Sequence, residues 1–208
     1  MRDYELLRDD ERNLPEWERN EIIDRRRREI ELSRYISLDW TKSLENFDGE
    51  APKAIVEDFM AGRRGVLIIA GKTGVGKTHL AQGVALKYPR TIMLRVDTLS
   101  KVWRELSGWD HDEIFNRIGY KLDEAVTLII DDLGTERLTE SELFLREFKA
   151  LLDNNEYGKL PKRVIITTNL TADQIANRYG EKIASRLSAA QVLTINGQDR
   201  RAALRVIA

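Results

Sequence analysis

The stretch Gly71-Lys-Thr-Gly-Val-Gly-Lys-Thr78 meets every fixed position of the pattern G-x-x-x-x-G-K-[ST]. Glycines 71, 74 and 76 let the backbone curl until successive N–H groups, those of Thr73 and Val75 among them, point at phosphate oxygens. A helix that starts inside the stretch adds the positive end of its dipole at the same place. Lys77 then reaches the β and γ phosphates of ATP or the β phosphate of ADP, and the Thr78 hydroxyl can ligate Mg²⁺. His79 follows directly and is read as a helix-face residue bordering the nucleotide.

Two further clusters could complete a site. Leu128-Ile-Ile-Asp131-Asp132-Leu-Gly134 puts two carboxylates at the end of an apolar run. An acid pair within a core would be very costly, whereas a strand end directs both into a crevice. Asp131 suits support of a metal, as in Walker B motifs, and Asp132 suits a general base that orients or deprotonates water. Thr167-Thr168-Asn169 ends another apolar run. If that strand lies between the other two, Asn169 points at the γ phosphate, an arrangement that implies hydrolysis rather than passive binding. Arg186 and Arg201 are arginine candidates; one supplied by a neighbouring subunit can raise hydrolysis about 10³–10⁵-fold.

The elements that must position these groups alternate. Short apolar strands are expected at 65–70, 91–96, 126–130, 163–167 and 191–195. Helical sequence is expected at 52–60, from the glycine-rich turn to about 87, on to 124, at 141–154 and at 171–187. Such alternation implies an α/β fold, a parallel sheet covered on both faces in three layers. Residues 1–12 read as frayed. A charged helix from Pro15 to about Ile36 follows, with only a broken apolar stripe. Residues 1–48 carry 10 basic and 14 acidic side chains, against 24 and 21 in 49–208. The first segment is therefore a different kind of sequence, and the chain divides into a helical N-terminal extension, 1–42, and a core, 43–208.

Composition excludes several classes. Zero cysteines rules out a disulfide scaffold, a thiol nucleophile and Cys-ligated metal sites. His79 and His111 are the only histidines. The apolar runs are too short to span a bilayer and the N-terminus lacks the apolar stretch of a signal peptide, so a soluble, cytoplasmic protein with no membrane partner is expected.

Taken together, these pieces resemble the AAA+ ATPases (ASCE class of P-loop NTPases) of the DnaC/DnaI helicase-loader and IstB transposition-ATPase group. The matching segments are Ser43-Leu-Glu-Asn-Phe47, Gly74-Val-Gly-Lys-Thr-His-Leu-Ala81, 128–134, Ile165-Ile-Thr-Thr-Asn-Leu170, Ser185-Arg-Leu187 and Gly197-Gln-Asp199, in the family's order. The resemblance implies strand order 5-1-4-3-2 and the first-sensor role for Asn169. It also implies an arginine finger acting in trans at Arg186, hence an ordered oligomer or filament, and a second-sensor arginine at Arg201. It places Phe47 beside the adenine. Three departures stand out: no zinc-binding N-terminal domain, Glu156-Tyr157 where many relatives have Arg-Tyr, and an end at Ala208, short of the helical lid. With no lid, assembly or DNA is expected to help retain nucleotide.

Three functions follow from the resemblance. The first is a loader that binds a hexameric DnaB-type replicative helicase through residues 1–42 and places it on single-stranded DNA. DNA-contact candidates are Arg95, Thr98, Lys101, Trp103 and Arg104, with Trp103 stacking on a base. The second is an ATPase that assembles on duplex DNA and recruits a transposase. The third is an adaptor that binds ATP and barely hydrolyses it.

Overall fold

Strands that are apolar on both faces need cover on both sides, and the pleat decides which side chain goes where. The structure, a computed structural model, describes residues 7–35, 38, 41–47, 53–62, 65–107, 113–136 and 141–199. Five strands, β1 (Gly65–Gly71), β2 (Thr91–Arg95), β3 (Thr127–Leu133), β4 (Arg163–Thr168) and β5 (Gln191–Ile195), form one sheet in the order β2-β3-β4-β1-β5. Every pairing is parallel. This is the expected order, and it inserts β4 between the strand that leads into the glycine-rich turn and the strand that carries the acids.

Alternation along each strand builds two cores. Leu67, Ile69, Met93, Ile129, Ile165 and Leu193 face α2 (Lys53–Ala61) and α3 (Lys77–Ala85). Ile68, Leu94, Leu128, Ile130, Val164 and Ile166 face the other way. There they meet α4 (Val96–Ser107), α5 (Glu113–Glu124), α6 (Ser141–Glu156), α7 (Ala172–Tyr179) and α8 (Glu181–Leu187). The result is a three-layer α/β architecture, a parallel sheet covered by helices on both faces.

Three local expectations change. The helical stretch 171–187 is two helices, because Gly180 takes φ 81° and ψ 161°, which no helix accommodates and which glycine tolerates. Strand β3 runs on through both acids to Leu133, with its register against β4 shifted between Ile130 and Leu133. Residues 7–12, expected to fray, are ordered: a short 3₁₀ turn (Asp9–Glu11) packs Leu7 against Ile22 and Ile23 of α1 (Glu16–Tyr35). Charge anchors it. Glu11 accepts hydrogen bonds at 2.8 Å from the Arg8 backbone N–H and from Arg26 Nη2. The Arg26 guanidinium, first, and the Arg8 N–H hold the Glu11 carboxyl down at about 2. Helix α1 then packs against α5, which joins the N-terminal segment to the sheet's helical layer.

Candidate nucleotide site

The C-terminal ends of parallel strands collect the loops, and here β1, β3 and β4 deliver their polar residues to one edge. Lys77, at the first turn of α3, is 6% exposed and turns back over the loop that precedes it. Its Nζ donates to Gly71 O at 2.9 Å, Lys72 O at 2.8 Å and Asn169 Oδ1 at 2.6 Å. The last contact closes a gap of 92 residues in sequence and brings the lysine and the end of β4 together.

The acids are held just as closely. Thr78 Oγ1 donates to Asp131 Oδ1 at 2.9 Å, and Thr167 Oγ1 donates to the same oxygen at 2.6 Å. The Asp132 N–H in turn donates to Thr167 Oγ1 at 2.9 Å. Burial pushes the Asp131 carboxyl above the usual range and the neighbouring Asp132 charge adds to this, against hydrogen bonds from Thr167 and Thr78 that favour ionisation. Asp132 has φ 59°, a left-handed conformation that aspartate tolerates better than most residues. Together with the register shift, this turn sends Asp131 toward Thr78 and leaves Asp132 facing the cleft.

That cleft, about 450 Å³, is lined by Lys77, Thr78, Asp132 and Asn169, with Thr73, Gly74, Gly76 and His79 on its glycine-rich side. Lys42 and Thr135 also line it. Neither has a pattern that marks it in sequence; only the approach of separate segments brings them in. Gly74 has φ 82°, and a Cβ there would come within 2.9 Å of the Asp199 Cα, so the segment after β5 lies directly on the loop.

The remaining expected residues divide. Val75 is fully buried in the α2/α3 core, so it can reach a phosphate only through its backbone. His79 Nε2 lies 3.0 Å from Ser43 O and 2.7 Å from Asn46 Oδ1, and its ring meets Phe47 edge-on at 5.4 Å. It therefore fastens the 41–47 segment, Phe47 included, to the start of α3. Arg186 does not line the cleft; its Nε donates to Asp153 on α6. Arg201 lies outside the described residues.

Among the DNA-contact candidates, Lys101 and Arg104 are exposed on α4. Arg95 is exposed beside Asp97 and pairs in register with Asp131, next to the nucleotide edge. Thr98 accommodates its own turn of α4, its N–H donating to Asp97 at 2.8 Å. Trp103, expected to stack on a base, is partly buried: its ring packs on Phe144 at 5.4 Å and also lines a surface pocket. Burying part of so large an apolar ring against the core is favourable in itself.

One residue escaped the sequence reading altogether. Glu136, buried four residues past Asp132, accepts from the Gly134 N–H at 3.0 Å, Arg178 Nε at 3.1 Å and the Tyr179 hydroxyl at 2.5 Å. It ties the loop behind the acids to α7. Burial, then the Glu136 charge, raises the Tyr179 hydroxyl far above its usual range, so it stays a donor.

The fold has known counterparts. A DnaC helicase loader superposes with a TM-score of 0.61 at 22% identity, over 76% of this chain and 98% of that one. A replication initiator DnaA bound to AMPPCP and single-stranded DNA gives 0.62 at 20% identity, over 77% of this chain and 51% of that one. AMPPCP-bound DnaA from Aquifex aeolicus gives 0.59 at 20% identity, over 79% and 53%. The chain thus spans about half the length of the DnaA chains it matches. No curated protein matches it. Among the described residues, no helix is long and apolar enough to cross a membrane. The sequence itself matches a family over residues 16–203, and on that match the chain belongs to the IstB-like ATP-binding proteins.

Proposed function

We propose that the chain hydrolyses ATP with Mg²⁺ and uses the ATP-bound state to assemble on single-stranded DNA and deliver a hexameric DnaB-type helicase. The observation that carries hydrolysis is the junction of Lys77, Asn169 and Asp132 in one cleft. A site that merely bound nucleotide would have no use for an acid and an amide aimed where the γ phosphate ends.

The residues fit the groups they would hold. Lys77 gives two of its hydrogen bonds to carbonyls of its own loop, which fixes the ammonium over the space a β/γ phosphate would fill. Asn169 steadies that ammonium and offers its amide N–H to the same phosphate or to water. The pair Thr78–Asp131 leaves the Thr78 oxygen a lone pair for a cation, with Asp131 behind it. Among the described residues no group of three acidic or histidine side chains forms a metal cage. That suits Mg²⁺, which keeps several waters and is held by one or two protein ligands plus phosphate. Bound there, Mg²⁺ would neutralise developing charge on the phosphate oxygens. Asp132 orients the attacking water and takes its proton. Arg186, placed away from its own cleft, would act on the site of a neighbouring copy.

Phosphate-release assays test the chemistry. Asp132→Asn and Lys77→Ala should each lower turnover by roughly 10²-fold or more, while Asp132→Asn should still bind ATP; wild-type rates in either variant would end the proposal. Size-exclusion chromatography with the replicative helicase of the protein's host, with and without an ATP analogue and with and without residues 1–42, tests the partner. Co-elution that requires 1–42 supports loading. The family match supports a second reading, recruitment of a transposase on duplex DNA. Separation from helicase in every condition, with ATP-dependent assembly on duplex, would favour that reading.

A further inference from the structure

Two of the three Arg186 side-chain nitrogens are hydrogen-bonded within the chain. Nε donates to Asp153 Oδ1, and Nη1 donates to Lys182 O at 2.8 Å. Nη2 has no hydrogen-bond partner among the described residues. The other Asp153 oxygen accepts from Lys149 Nζ at 2.8 Å, so both carboxylate oxygens are in use. These hydrogen bonds from Arg186, first, and Lys149 hold the Asp153 carboxyl below its ordinary range and keep it an anion.

The location is neither core nor open surface. The side chains of Arg186 and Asp153 are 25% and 23% exposed. Asp153 and Lys149 come from α6 and Arg186 from the end of α8, and the two helices pack together. Glu156, the last residue of α6, and Tyr157, just past it and 77% exposed, both lie within electrostatic reach of Arg186. A guanidinium fixed at two nitrogens, with its third not hydrogen-bonded among the described residues, can take a further anion, and a second copy of the chain can bring one.

We infer that Asp153 is a positioning residue: it holds the Arg186 guanidinium in the one orientation in which a copy of this chain can present Nη2 to the nucleotide phosphates of its neighbour. The inference rests on the reading of Arg186 as acting in trans. An unanchored arginine would sample many rotamers and lose that freedom at each docking event; Asp153 removes the loss beforehand. A partly exposed ion pair contributes little to stability, so its value here lies in geometry.

Mixed full-length subunits separate the two copies. Asp132→Asn copies bind ATP and lend Arg186 without hydrolysing; Arg186→Ala copies keep an intact cleft and lack the arginine. Mixing them should restore phosphate release that neither shows alone. Adding Asp153→Asn to the Asp132→Asn copies should cut that restoration at least about tenfold, since small misplacements of a transition-state contact are costly. The same change on the Arg186→Ala copies should leave restoration intact, and Asp153→Glu on the lending copies should recover part of it. Equal restoration with and without Asp153→Asn on the lending copies overturns the proposal. So does an equal loss whichever copy carries the change, which would mark a structural role. If Arg186→Ala alone is fully active, or the unaltered pair fails to complement, the trans reading falls and takes this proposal with it.

Discussion

Asp131 is a single acidic side chain held where its own ionisation is disfavoured. It is 5% exposed, it has Asp132 as its neighbour, and its carboxyl is pushed above the ordinary range. For an acid raised in this way the ionised form is what the fold disfavours. Asp131→Asn should therefore stabilise the nucleotide-free protein by about 1 kcal/mol while removing Mg²⁺-dependent turnover, the usual trade at a functional site. Melting curves without nucleotide, set beside phosphate release, check both halves. The residues of this site that are legible in sequence are those whose chemistry needs a fixed spacing: the glycine-rich octet, and polar groups ending apolar strands. Lys42, Thr135, Glu136 and Asp153 are not legible, because each works through a residue on another element and carries no spacing of its own. Trp103 has a second role that its neighbours in sequence do not announce. In sequence it sits among cations, and in the fold its ring also packs, partly buried, against Phe144.

Among elements, the junction of the 41–47 segment with α3 depends on a close approach. A Cβ on Gly83 would lie 2.9 Å from Leu44 N and from Ser43 C, so Gly83→Ala must push the segment away. Gly83 is buried in α3. Overpacking of this kind costs about 1–3 kcal/mol, measurable as a lowered urea midpoint. His79→Ala loosens the same junction without crowding, releasing Ser43, Asn46 and the edge of Phe47. If Phe47 borders the base, nucleotide affinity should fall by roughly five- to tenfold, the worth of one modest hydrogen bond, with little change in turnover at saturation. An equal fall in turnover would instead make His79 part of the chemistry. The alternation of strands and helices was readable because buried parallel strands are short apolar runs. The break at Gly180 was not, since the apolar pattern on either side continues in phase and only the backbone at one glycine interrupts it.

For the molecule as a whole, the N-terminal segment is joined to the rest through charge as much as through apolar contact. Glu11 titrates near 2 instead of its ordinary 4.5. Its ionised form is the one the fold favours, so this contribution is complete above the ordinary value and fades as pH falls toward 2. Limited proteolysis at neutral pH should cut residues 7–15 faster in Glu11→Gln than in the native chain. Amide exchange compared between pH 5 and pH 2.5 should show the same turn loosening. Charge runs in the sequence suggested a solvated, unanchored stretch; the exception arises because one glutamate finds two arginines, a match that composition does not reveal. The central place of β4 has a mechanical consequence. Bonded to a neighbour along both edges and buried for five of its six residues, it cannot slide or tilt without breaking the sheet. It is the stator. Any motion set going by a bound nucleotide would have to pass through parts outside the sheet: the 134–136 loop held at Glu136, and helices α7 and α8, which Ile175, Tyr179, Ile183 and Leu187 seat in the core and Arg178 and Arg186 tie down. With its centre held rigid, the sheet leaves room for movement only in those outer parts.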